Sequence, residues 1–318
     1  MKVIPVIPER IEEFHSLKSS SLFTSMGWVQ CFGPSLQRFF LLDENEKPIG
    51  GFVAYHGGKG NLRTLITPPF TPHIGLFTIE NKNKPVKINS FRKEVIDAIA
   101  DFLLASRYVY FKLDFAPEWH DMQPMIWKKI HATIRYTYQI DLNQSESEIN
   151  DNLDSSKRNK INKGGRDGLV VSHDPDEDTA YRLISENLES NAIKVHNGIL
   201  KNIFSLVKEK EHGIFTMTSS ENKIVAVNVC VIDNNTCFNL LSAIDRKNKQ
   251  GQSGTFSLYH SILKAKEKGL LIFDFEGSGV PEIEEFFRSF GGNLTPYFSV
   301  SGGKWPWPLL LKLRRRIG

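Results

Sequence analysis

One order of elements is written twice along these 318 residues, and few folds accommodate it. In the first half, the alternation at Arg38–Leu42 and Ile49–Tyr55 predicts a hairpin turning at Asn45-Glu46-Lys47, with a third strand near Leu62–Ile66. A helix is expected at Phe91–Ser106, with Val95, Ile99, Phe102 and Leu103 on one face. A strand at Tyr108–Phe115, a short helix at Gln123–Ile130 and a strand at Arg135–Leu142 complete the set. The second half repeats it: strands at Gly213–Ser219, Ile224–Ile232 and Thr236–Ile244, a helix at Thr255–Lys268, a strand at Leu270–Glu276, a helix at Pro281–Phe290 and a strand at Leu294–Val300. The residues hardly match between halves, so the repetition is one of architecture. Helices at Glu146–Lys163, Asp178–Ser190 and Gly198–Glu211 precede the second set. Hairpins argue against an all-parallel sheet, and strand–helix–strand units demand some parallel pairing. The expected class is α/β with mixed sheets, in two domains. The boundary falls near Asn143–Glu146, giving domains at 1–143 and 144–303 and a tail at 304–318.

The stretch Phe273–Gly292, FDFEGSGVPEIEEFFRSFGG, holds the densest chemistry. Period-two alternation would put Asp274 and Glu276 on one face of a strand. A Gly-Ser-Gly turn follows, then Pro281 at the start of a helix that presents Ile283, Phe286, Phe287 and Phe290 on one side. Gly291 and Gly292 end it. Acids at the carboxyl end of a buried strand can hold an amine or remove its proton, and apolar walls raise their pKa toward neutrality. The alternative is a structural ion pair.

Two basic segments could meet phosphate. The loop Asp245–Gly254, DRKNKQGQSG, leads into the helix at Thr255 with Arg246, Lys247, Lys249 and two glycines. Amide groups at a helix start attract anions, although a solvated connection would look the same. The run Ser155–Arg166, SSKRNKINKGGR, has five bases and no acid. It would place Arg158, Ile161 and Gly165 together on a helix, facing either a phosphate-bearing substrate, an RNA end, or solvent.

The bulk balance of 40% hydrophobic and 24% charged residues is ordinary for a globular chain. Of the 40 Lys and Arg, five lie after Gly303: Lys304, Lys312, Arg314, Arg315 and Arg316. The body is therefore near neutral and offers no broad basic face for duplex nucleic acid. The tail, KWPWPLLLKLRRRIG, mixes Trp, Leu and bases, which suits a membrane interface as well as a tail packed on the protein. The opening MKVIPVIPERIEEF lacks the apolar run of a signal peptide, and no run approaches a membrane span. Three cysteines argue for a reducing, cytoplasmic setting. If Asp233-Asn234 form a two-residue turn, Cys230 and Cys237 face each other across a hairpin, as reduced core thiols or as a bridge. The nine histidines show no metal spacing, and no G-x-S-x-G turn is present, so zinc and serine-hydrolase chemistry lack support.

The second half resembles the GNAT acyltransferase superfamily, and within it the Fem-like branch of tandem GNAT proteins. SSKRNKINKGGRDGLVV is similar to the R-x-x-I-x-K-A…G-V opening of the second Fem-like domain. FDFEGS followed by FFRSFGG resembles the D-F-E-G-S…F-x-x-S-F-G signature of bacterial Fem-like acetyltransferases, and SLFTSMGWVQCF resembles their F-x-S-x-x-W segment. The strand–loop–helix at Asn239–Lys268 also fits. The resemblance implies two tandem GNAT-like domains, the first degenerate, with an acyl donor held where Thr236–Ile244 and Leu270–Glu276 splay apart. It assigns Gln250, Gly251, Gln252, Ser253, Gly254 and Thr255 to the donor's pyrophosphate. It further implies that Glu276 orients or deprotonates an amine, that Tyr297 protonates the departing thiolate, and that Asp274, Arg288 and Arg158 contact substrate. The chain departs from the usual Q/R-x-x-G-x-G/A loop, with Asn248 in the first place and Ser253 in the last. Arg288 stands where cell-wall Fem proteins commonly carry Lys, and it cannot transfer a proton near neutrality.

The expected activity is transfer of an acyl group from acyl-coenzyme A, or a carrier thioester, to a small-molecule or cell-envelope amine, without a metal. One alternative is Fem-type transfer from charged tRNA to a peptidoglycan precursor. Another is a non-catalytic binding protein, peripheral to the inner face of the membrane through its tail.

Overall fold

In the computed structural model, the described residues are 1–17, 21–58, 62–79, 83–190, 197–209, 211–247, 251–277 and 279–304. The chain divides into two compact units. One is Met1–Arg135 with the chain from Pro296, and the other is Tyr136–Thr295. The divide thus falls before the sequence-based boundary near Asn143–Glu146, because the strand His131–Asp141 runs unbroken from one unit into the next.

The first unit begins with β1 (Lys2–Pro5), α1 (Ile11–Ser16) and α2 (Met26–Phe32). Then come β2 (Leu36–Leu42), β3 (Pro48–Gly57), β4 (Thr64–Ile66), β5 (Phe77–Thr78), α3 (Pro85–Ala105), β6 (Tyr110–Phe115), α4 (Gln123–Trp127) and the start of β7 (His131–Asp141). Its sheet runs β1-β2-β3-β4-β6 and is completed by β13 (Asn293–Gly303), with β5 on the edge of β3. Every pair is antiparallel except β4–β6. Helix α3 buries Val95, Ile96, Ile99 and Leu103 in one core with Phe39, Phe52, Leu113 and Val300. Phe14 of α1 joins Val6, Phe40 and Leu42 in a separate cluster.

The second unit adds α5 (Glu146–Asp151), α6 (Ser155–Arg166), β8 (Val170–Ser172), α7 (Glu177–Ser190) and α8 (Asn197–Val207). It continues with β9 (Gly213–Ser220), β10 (Lys223–Asp233), β11 (Thr236–Ile244), α9 (Ser253–Glu267), β12 (Ile272–Asp274) and α10 (Pro281–Arg288). Its strands follow the order β7-β12-β11-β10-β9-β8. The single helix expected over Glu146–Lys163 is two. Ser145 caps α5 in a reciprocal box with Glu148, and Asp154 restarts the chain as the N-cap of α6. Helix α9 brings Leu258, Tyr259, Ile262 and Ala265 into one core with Ile214, Cys230, Cys237, Phe273 and Phe275.

The hairpin β10–β11 turns at Asn234-Asn235, with Asp233 opposite Thr236, so Cys237 lies opposite Ile232 rather than Cys230. A bulge between Val229 and Val231 still lets the two buried thiols meet, and both are free.

Candidate active site

Strands β11 and β12 run parallel for only three residue pairs, Thr236–Ile272, Cys237–Phe273 and Phe238–Asp274. Beyond Phe238, β11 continues to Ile244, but its edge on this side has no strand partner among the described residues. The chain after Asp274 stays with β7 instead: the Phe275 N–H donates to the Tyr138 carbonyl at 3.1 Å. An opening between two parallel neighbours results. Asn239 and Ser242 lie on the unpaired stretch of β11. Ser242 Oγ donates to Asn239 Oδ1 at 3.1 Å, and Asn228 of β10 donates to both side chains. Sequence reasoning passed over this polar trio, since each residue alone is an unexceptional interruption of a buried strand.

The two carboxylates do not share a strand face. Asp274 closes β12, whereas Glu276 lies past it with φ +61°, followed by Gly277 at φ +70°. Period-two alternation stops where the backbone turns left-handed. Gly277 is required there: a Cβ would sit 2.1 Å from the Tyr136 carbonyl oxygen. Asp274 is 2% exposed and accepts three hydrogen bonds, from Thr137 Oγ1 (2.6 Å), Gln139 Nε2 (2.7 Å) and the Glu276 N–H (2.7 Å). Burial raises its pKa while these donors oppose the rise. Glu276 has no such support. Its Oε1 is buried without a hydrogen-bond partner, and burial, then the nearby Asp274 charge, then Cys230, lift its carboxyl well above the usual range. In this pair the donors keep the charge on Asp274, and Glu276 takes the proton.

The loop after β11 reaches α9 through Asp245–Gln252, of which Asn248, Lys249 and Gln250 lie outside the described residues. Arg246, Lys247 and Gly251 are exposed. Gln252, Ser253 and Thr255 are buried at the start of α9, and Gly254 would bring a Cβ within 3.1 Å of Ile244 Cγ2. Gln252 does not cap its helix. Its Nε2 donates to Asp167 Oδ2 at 2.5 Å, which sets a carboxylate close to the first turn.

Other expected site residues have structural work. Arg158 Nη1 donates to the carbonyls of Asn150, Asp151 and Leu153 (3.4, 2.8 and 2.8 Å), closing the C-terminal end of α5. Arg288 is a helix-surface charge, paired at 3.1 Å with Glu284, whose Oε1 also accepts from Tyr138 at 2.6 Å. Tyr297 belongs to the first unit, where its hydroxyl accepts from Arg135 Nε at 3.3 Å.

One residue stands out from the basic run. Lys157 of α6 is 5% exposed, with Nζ 3.7 Å from the centre of the Phe286 ring and 5.4 Å from that of Phe290. Burial brings its pKa down to about 8. The sequence carried a signal, since Phe286 and Phe290 share a helix face, but not the helix that meets it. Among the described residues no cluster of metal-ligating side chains exists. Two cavities lie against α3 in the first unit, and none of the residues above lines either.

Residues 154–288 match the family model described as an acetyltransferase (GNAT) domain. No protein of curated function matches the sequence. Among solved structures, FemX aligns over 94% of this chain and 97% of its own at 11% identity, with a TM-score of 0.64. The C-terminal domain of a putative lysylphosphatidylglycerol synthetase from Agrobacterium fabrum aligns over 92% of both chains at 12% identity, with a TM-score of 0.56. A tandem GNAT protein from the clavulanic acid biosynthesis pathway covers 95% of this chain and 98% of its own at 8% identity, with a TM-score of 0.52. At such identities the likeness is one of fold. Residues 154–288 thus match the model of an acetyltransferase (GNAT) domain, and the chain shares the fold of FemX and of a tandem GNAT protein.

Proposed function

We propose that the second unit transfers an acyl group from a thioester donor, acyl-coenzyme A or a carrier-bound acyl chain, to an amine. The observation that carries this reading is the opening between β11 and β12, with Glu276 at its strand end and the start of α9 one loop away. A strand edge without a partner presents backbone N–H groups that can polarise a thioester carbonyl. Helix-start amides, in a connection that also carries the exposed Arg246 and Lys247, suit a pyrophosphate. In the reaction the amine nitrogen bonds to the carbonyl carbon and the carbon–sulfur bond breaks. In its deprotonated form Glu276 takes the nitrogen's proton and then passes it to the departing sulfur, which leaves as the thiol. A carboxyl lifted toward neutrality suits that exchange.

The first unit is not proposed as a second donor site. There the chain beyond β4 keeps to β6, with the Thr67 N–H on the Lys112 carbonyl and the Ile74 N–H on the Asp114 carbonyl. Its own backbone occupies the edge that is open in the second unit.

Calorimetry with acetyl-coenzyme A, together with thiol release across a panel of amines, tests the reading. Heat of binding and amine-dependent thiol release are expected. A folded sample that gives neither at millimolar donor would overturn it. Two features favour a second reading, aminoacyl transfer from charged tRNA: Asp167 sits at the α9 start, and Ser253 replaces the small loop residue that close phosphate approach prefers. Activity that falls steeply with salt and ignores acyl-coenzyme A would mark that donor.

A further inference from the structure

Residues 305–318 of the basic tail lie outside the described residues, whereas the polar trio beside the opening lies within them. Register places the trio in the sheet. Ser261 of α9 donates to Thr216 Oγ1 of β9 at 2.8 Å, so Thr216 faces α9. Asn228 pairs with Thr216, and Ser242 pairs with Asn228, so both share that face, and Asn239 bonds to them there. Cys230 follows on the same face, paired with Ile214, and Glu276 lies close enough to Cys230 to sense its charge. The trio and the Glu276 carboxyl therefore belong to one side of the sheet.

Asn239 is 6% exposed, and its amide is fixed. Oδ1 accepts from Asn228 Nδ2 at 3.3 Å and from Ser242 Oγ at 3.1 Å, so turning the amide over would set a donor against a donor. Its own Nδ2 makes no hydrogen bond among the described residues. Ser242 beside it is exposed, so the trio is open to a ligand. Asn239 is also the first residue of β11 past the last pair with β12, Phe238–Asp274. That stretch carries the N–H groups suited to the thioester carbonyl, so the Asn239 side chain borders the acyl group. A hydrocarbon chain there would displace water from Nδ2 and offer no acceptor in return.

We propose that Asn239 selects the acyl group: the donor carries a carbonyl or hydroxyl oxygen close to its thioester carbon, and the Asn239 amide donates to that oxygen. Such selection presupposes the acyl transfer proposed for this unit.

The test compares acetoacetyl-coenzyme A with butyryl-coenzyme A, equal in chain length and different by one carbonyl oxygen, on the full chain with a competent amine. Calorimetry and thiol release should favour the acetoacetyl ester about tenfold. Asn239→Asp keeps an oxygen for Asn228 and Ser242 and replaces the Nδ2 donor with an acceptor, so it should erase or reverse the preference. Ser242→Ala, at an exposed position, removes one of the two donors that fix the amide and should reduce the preference in a folded chain. Equal use of the two esters by the wild type overturns the proposal, as does an unchanged preference in the Asn239→Asp variant. A folded sample that binds neither ester sinks the acyl-transfer reading itself, and the proposal with it.

Discussion

The backbone N–H of Glu276 donates to the side chain of Asp274 at 2.7 Å, so one carboxylate fixes the peptide that carries the other. Thr137 and Gln139 of β7 hold Asp274 from the opposite side. The two acids therefore have different work. Asp274 is a buried acceptor that shapes the strand end, and Glu276 is a poorly solvated carboxyl at an opening.

Glu276→Gln keeps the shape and removes the proton acceptor. With a competent amine, kcat/KM should fall by about 10²- to 10⁴-fold, and the acidic limb of its pH profile should disappear. Stability should move the other way. The raised pKa means that the folded chain keeps a proton that the unfolded chain releases above the ordinary value of 4.5. The wild type therefore loses stability as pH rises from that value through the raised one. Thermal unfolding should find the variant more stable than wild type at pH 8, with the difference gone by pH 4.

Asp274→Asn tests the division of labour. It removes the charge that helps to lift the Glu276 carboxyl, so the acidic limb of the pH–rate profile should shift to lower pH. It also sets an amide against donors. Gln139 cannot turn freely to compensate, because its Oε1 accepts from Thr295 at 3.2 Å. A loss of about 1–3 kcal/mol in denaturant unfolding is expected. An unmoved pH profile would remove Asp274 from the control of Glu276.

Much of this was legible in the sequence, for reasons that differ by element. Helix α9 and strands β10 and β11 fall within a few residues of their expected bounds, because apolar periodicity is a local signal, although the turn lies at Asn234-Asn235 rather than Asp233-Asn234. The strand expected through Glu276 ends at Asp274, since a positive φ at a non-glycine residue leaves no mark in an alternating pattern. Arg158 and Lys157 came from one basic run, yet one caps α5 and the other lies under two phenylalanines. Nothing in a run of bases says which member meets which neighbour. The opening itself depends on where β12 stops pairing with β11, a property of long-range register.

Gly277→Ala should act through Glu276. The added Cβ would meet the Tyr136 carbonyl oxygen, and the backbone already holds φ +70°. Strain plus displacement should cost about 2 kcal/mol or more of stability. Activity should fall together with it, even at temperatures where circular dichroism reports a folded sample. Gly251→Ala is the control, since its Cβ position has no neighbour within 4 Å among the described residues. Equal effects of the two substitutions on stability would contradict the argument.

Lys157 supplies the last prediction, and its sign is opposite to that of most core substitutions. Its pKa drops from 10.5 to about 8, so the charged form is disfavoured in the folded chain. A base of this kind contributes full stability only above its unfolded value. That stability is lost as pH falls through the 10.5-to-8 window, and at pH 7 the charge costs about 3 kcal/mol before the aromatic rings return a part. Lys157→Met fills similar volume with a polarizable, uncharged chain against Phe286 and Phe290. It should raise the unfolding free energy at pH 7 by about 1–2 kcal/mol, and the gain should shrink toward zero near pH 10.5, measured by urea titration. A destabilised variant at pH 7 would instead mean that the ammonium's attraction to the two rings exceeds its desolvation.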